Sequence, residues 1–379
     1  MKASVSQYFC GRWQKHPLGN CINDEKVQLA LCFGSKELLQ QEDVYTEISQ
    51  QYLNAAVVLC STAGEIYQDT VSDDSLVVAA LQFDKTEIKT AAVNIKDFAN
   101  SYNAAAELAG KLPKDNLVHV LVFSDGNLVN GSELVKGLIT WTGENVMITG
   151  GLAGDGADFT STLVGLNEMP MEGKIVAIGF YGNHISITHG SQGGWDVFGL
   201  EKRITKSNNN VLFEMENQNA LNVYKKYLGQ EAAKLPGAAL LFPLSVVIPG
   251  TRKPVVRTIL SIDENDRSMT FAGDVPEGSK VRFMKANFDR LTQAAAAAAN
   301  NTLHNHADKP VFSLLISCVG RKLILGERTV EEVKVVNNSY QGKTVMAGFY
   351  SYGEISPFNE DTDCQLHNQT MTITSFYES

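Results

Sequence analysis

Gly348-Phe349-Tyr350-Ser351-Tyr352-Gly353-Glu354-Ile355 reads as an apolar strand running into a Gly-acid turn, and Cys364-Gln365-Leu366-His367-Asn368-Gln369-Thr370 behind it gathers polar groups around one histidine. The same turn occurs earlier as Ser61-Thr62-Ala63-Gly64-Glu65-Ile66 and as Gly151-Leu152-Ala153-Gly154-Asp155. The chain therefore reads as three copies of one unit.

Working outward, the first copy opens with an apolar strand over 27–34, and Ser35 can cap a helix over 36–53 whose residues Leu38, Leu39, Val44, Ile48 and Leu53 share one face. The stretch 55–60 is apolar on both faces, as a covered central strand requires. A hairpin over 75–83 and 87–95 completes the unit. The second copy predicts strands at 117–123 and 146–149 around a helix at 131–140, then a hairpin over 174–180 and 184–189. The third predicts strands at 311–320 and 344–348 around a helix at 329–335, closed by a strand over 369–376. Between the second and third copies the pattern breaks. There the sequence predicts a helix near 218–228, antiparallel strands at 240–248, 255–262 and 269–272, and an Asn287-capped helix whose alanine run, 294–299, admits close approach by another element. The predicted fold is α/β, built of repeated β-α-β-plus-hairpin units forming two related, packed lobes after a lead-in over 1–26.

Composition narrows the function classes. A net charge of −10 argues against duplex nucleic acid and anionic membrane, both of which call for a concentrated basic surface. Residues 1–200 hold 12 Lys+Arg against 23 Asp+Glu, whereas 201–379 hold 20 against 19, leaving the second half with cations to spare for an anionic ligand. Six scattered cysteines and an N-terminus without an apolar core predict a reduced protein in the cytoplasm. No phosphate-binding loop, kinase signature or serine-hydrolase elbow is present.

Cys60–Ile66, Gly150–Asp155, Ser317–Arg321, Gly348–Ile355 and Leu366–Thr370 together resemble FIST proteins, whose N-terminal domain would cover 27–220 and C-terminal domain 221–379. The resemblance implies a signal-transduction sensor, one branch of which binds heme, senses nitric oxide and regulates a partner histidine kinase or cyclic-di-GMP enzyme. On that reading His367 ligates heme iron, Gln365, Asn368 or a backbone carbonyl orients its second nitrogen, Tyr350 and Tyr352 line the pocket, and Arg252, Arg257 and Arg321 meet carboxylates. Diatomic binding would then move the polar loop 356–363.

Two other readings stay open. The same arginines and tyrosines suit a metal-free sensor of an amino acid or other small carboxylate. Cys364 and His367 would serve a thiol-dependent enzyme. Glu65, Asp155 and Glu354 recur with the turn and read as capping groups rather than a metal site. Homo-oligomerisation is not decided by the sequence.

Overall fold

In the computed structural model every residue is described except 20–21, 144, 236, 252–253, 305, 307 and 358–363, so Arg252 and most of the loop 356–363 lie outside the described residues. After β1 (Lys2–Phe9), the first unit is β2 (Leu29–Gly34), β3 (Ala56–Ser61), β4 (Glu65–Tyr67), β5 (Leu76–Gln82) and β6 (Glu87–Asn94). The second repeats that order as β7 (Leu117–Ser124), β8 (Met147–Leu152), β9 (Val164–Leu166), β10 (Lys174–Tyr181) and β11 (Ile185–Gln192). The third is β12 (Phe312–Cys318), β13 (Val345–Ser351), β14 (Gly353–Pro357), the extra strand β15 (Cys364–His367) and β16 (Met371–Glu378).

Each unit builds the middle of one sheet, with its first two strands parallel across a helical crossover and its fourth antiparallel beside the first. The edges are exchanged. β9 of the second unit borders the first sheet, β14 of the third borders the second, and β4 of the first borders the third. At the opposite edges β6 joins the second sheet and β11 the third, while β1 takes the matching place in the first. The two strands that sequence pairs as a hairpin therefore turn a corner into neighbouring sheets. The ring closes through β1, so the two lobes are locked together by shared strands.

This arrangement explains the doubly apolar strands. Their inner faces meet around the pseudo-three-fold axis, where Phe33, Phe123 and Phe349 cluster and Phe33 stacks on Phe349 with centroids 4.9 Å apart. Their outer faces are covered by helices, Glu42–Gln51 on the first sheet and Ser101–Gly110 with Gly131–Thr142 on the second. The helix expected over 36–53 is two pieces, Lys36–Leu39 and Glu42–Gln51, because Gln40 and Gln41 end one and start the other. The helix Phe288–Thr302 buries Ala294, Ala295, Ala298 and Ala299. It comes so close to β11 that a Cβ on Gly190 would lie 2.0 Å from the Ala298 carbonyl oxygen, the close approach its alanines permit.

Residues 196–285 form a fourth, antiparallel sheet with its own core and the helix Ala220–Leu228. Its longest strand, Asp196–Asn208, and the strands Val211–Met215 and Lys280–Lys285 were not anticipated. Asp196–Asn208 pairs a short apolar stretch, Val197–Leu200, with a charged and polar remainder and buries only Ile204, so it has neither a long apolar run nor a regular alternation. No helix among the described residues is long and apolar enough to cross a membrane.

Candidate functional site

Three equivalent backbone hydrogen bonds mark the end of the body where the turns converge: Ala63 N–H to Tyr350 O, Gly154 N–H to Ser61 O, and Tyr352 N–H to Leu152 O. Strand pairing then makes Glu65 and Glu354 equivalent, opposite Phe349 and Gly151, whereas the matching residue of the second unit is Val164, opposite Cys60. Asp155 therefore stands at a different place, at the start of an inserted loop. Its carboxylate accepts from the amides of Phe159, Thr160 and Ser161, from the Thr160 hydroxyl and from the Tyr352 hydroxyl. Burial alone would raise its pKa, but those donors hold it below the ordinary value.

The two glutamates are clamped alike. Thr62 and Ser75 hydroxyls with the Ser75 amide hold Glu65, and the Ser351 and Thr370 hydroxyls with the Thr370 amide hold Glu354. Burial outweighs these bonds and pushes both pKa values up to about 7. His119 and His367 are driven the other way, to about 3 and about 4, by burial first, with His189 adding to the first and Arg257 and His189 to the second.

These shifts set an acid profile. Below pH 6.5 the unfolded chain protonates the two histidines while the fold resists, so stability falls with falling pH. From about 7 to 4.5 the folded glutamates take protons that the unfolded ones do not, so stability rises with falling pH. The opposed slopes cancel between about 6.5 and 4.5. Below that the glutamates are spent and the histidines act alone, joined by Glu378, which burial would raise but hydrogen bonds from the terminal amine and Thr86 hold near 2. Urea unfolding across pH 3–8 is expected to show a plateau followed by a steep acid loss; a steady decline from pH 6.5 would contradict it.

The inserted loop ends in a cleft of about 800 Å³ between the body and the fourth sheet. On the body side Phe159, left-handed at φ 54°, stacks on Tyr352 with centroids 4.6 Å apart and planes at 19°. Asp155 fixes that strained residue by capping its amide, and strain held in place by neighbours is a recurring feature of binding sites. From the fourth sheet come Thr258, Ile259, Leu260 and Phe271. Leu128, Phe159 and Leu260 all line this cleft and are 41–48% exposed, an apolar concentration at one opening. Thr258 is 4% exposed, and its hydroxyl has no hydrogen-bond partner among the described atoms. No described side chain lining the cleft is charged. A second cleft of about 700 Å³, beside Glu65 and Lys322, is by contrast strongly acidic.

The sequence-derived candidates separate into three places. Tyr352 lines the first cleft. Tyr350 and Arg321 are buried together on Glu332, where the tyrosine hydroxyl donates to Oε1 at 2.7 Å and the guanidinium donates to Oε2 at 2.7 and 3.0 Å. Arg321 also donates to the carbonyls of Gly193 and Leu291. Arg257, His367 and Asn368 form a third group where the fourth sheet meets β15; Arg257 donates to the carbonyls of Leu366 and Asp274. The cleft residues Phe159, Thr258 and Leu260 were missed, since they come from distant segments. The Gly126-Asn127-Leu128-Val129-Asn130-Gly131 loop, rich in residues that expose backbone, was the available signal.

A heme on His367 does not fit these residues. The side chain is 1% exposed, its Nε2 lies 2.9 Å from the Ser356 carbonyl oxygen, and neither cleft is lined by it. The carbonyl is an acceptor only, so Nε2 carries the proton.

Residues 28–218 match the FIST N domain and residues 220–357 the FIST C domain. The chain belongs to the FIST family. FIST domains are sensory domains of signalling proteins, so the chain is a signalling protein with a sensory role. No curated protein matches it. Among solved structures, a cyanuric acid hydrolase from A. caulinodans is 8% identical over 94% of this chain and 91% of that one, with a TM-score of 0.30. A second cyanuric acid hydrolase structure gives 8%, 94%, 92% and 0.30.

Proposed function

We propose that this FIST protein senses a small ligand held in the cleft between the three-unit body and the fourth sheet. The observation that carries the reading is that both parts supply the lining, with exposed Phe159 and Leu128 on one side and exposed Leu260 with buried Thr258 on the other. A ligand touching both sides favours the closed arrangement by its extra contacts there. Arg257 offers a relay, since it directly precedes Thr258 and its guanidinium is bonded to the Leu366 carbonyl beside His367. The output is regulation of a histidine kinase or cyclic-di-GMP enzyme.

Arginine-based capture of an amino acid finds less support, because Arg257 and Arg321 both spend donors on protein oxygens. Heme-dependent nitric oxide sensing finds less support, because no described histidine lines either cleft. Added hemin is expected to give no absorption band that changes in His367→Ala.

The site is tested by thermal-shift screening followed by binding to variants. Phe159→Ala and Leu260→Ala are each expected to weaken a hit by roughly tenfold, the usual cost of truncating a central apolar contact. Leu323→Ala, which lines the acidic cleft, is expected to leave it unchanged. The reverse pattern would move the site to the acidic cleft.

A further inference from the structure

Resting on that placement of the site, we propose that the ligand is uncharged at neutral pH and carries a flat conjugated ring. The absence of charge follows from the lining. A carboxylate or ammonium entering this cleft would shed water and meet no described side chain of opposite sign, a cost that only a paired charge recovers. Among the described residues, Arg257 lies behind the wall: a Cβ on Gly273 would lie 3.0 Å from its guanidinium carbon, and its Nε and one terminal nitrogen donate to backbone carbonyls. Its charge is thus felt across a glycine without being offered as a direct partner. That favours the negative end of a dipole over a full anion.

The flat ring follows from Phe159. Tyr352 covers one face of its ring, yet Phe159 stays 41% exposed at the cleft, so a second π-surface is on offer. Gly126 and Gly273 keep the walls narrow and free of side chains. Gly126 cannot be otherwise, since a Cβ there would lie 2.1 Å from the Ala153 carbonyl oxygen.

A matched series with one ring system tests the class: 2-naphthamide, neutral with an acceptor; 2-naphthoate, an anion; and 2-naphthylmethylamine, a cation. Titration calorimetry is expected to rank the amide at least tenfold tighter than either ion. Tighter binding of either ion, still sensitive to Phe159→Ala, would overturn the ligand class and keep the site. Amide binding indifferent to Phe159→Ala and Leu260→Ala would overturn the site as well. Failure of the amide to bind at millimolar concentration would overturn the class, leaving the site to the screening hits.

Discussion

Arg321→Met is expected to destabilise the protein by roughly 3–5 kcal/mol, because it strands the Glu332 carboxylate in the interior. Both side chains are fully buried, with the guanidinium 2.7 Å from Oε2. The pair is the hub of a wider network, since Glu332 also receives the Ser317 and Tyr350 hydroxyls while Arg321 reaches carbonyls after β11 and on the helix Phe288–Thr302. Removing the cation leaves those acceptors without their donor. Arg321→Met with Glu332→Leu removes both charges, and a well-packed apolar replacement often costs little. The double variant should therefore recover more than half of the loss in urea unfolding. Single variants within about 1 kcal/mol of the parent would show that water reaches the pair and that Arg321 is available to a ligand.

The network shows what sequence can and cannot supply. The three units were legible because each strand is a local apolar run ended by a local turn, and a Gly-acid signature marks the turn without reference to the rest of the chain. Exchange of edge strands was not legible. β4 is three residues long and β9 equally short, so neither carries a pattern, and each pairs with a partner from another unit. β1 was assigned to the lead-in because its alternation is short and its inward residues Ala3 and Val5 are small; pairing with β5 places both in the core. Arg321 was read as a ligand-binding group because the second half has cations to spare and the guanidinium fork suits a carboxylate. What fixes its role is Glu332, eleven residues on, and nothing in the residue types said that the two helices would face inward together. Tyr352 was singled out within the turn itself, and that turn does reach the cleft. The opposite wall was beyond reach, since the fourth sheet interrupts the repeat and its placement depends on contacts between distant segments.

Gly348→Ala is expected to cost about 3 kcal/mol or more, at the upper end of overpacking effects, because the obstacle is backbone rather than a side chain that can swing away. Gly348 lies opposite Leu315 in the parallel ladder, and a Cβ there would fall 1.8 Å from the Leu315 carbonyl oxygen. The second unit repeats the geometry, with Gly150 opposite Val122 and a Cβ 1.9 Å from the Val122 carbonyl oxygen. The first unit departs from it: Leu59 opposite Cys32 occupies the equivalent rung and is fully buried. Two strands thus carry glycine at a rung where the third accommodates a large side chain. Beyond that rung β13 delivers Tyr350 to Glu332 and, past the turn, Tyr352 to the cleft. A suitable control is Gly342→Ala, at φ 64° with nothing within 4 Å, for which only the left-handed backbone penalty of roughly 1 kcal/mol applies. Chemical unfolding of the two variants separates clash from conformational cost. If Gly348→Ala proved no worse than the control, β13 would be able to adopt the course that β3 takes around Leu59, and the two glycines would lose their role in aiming the turn.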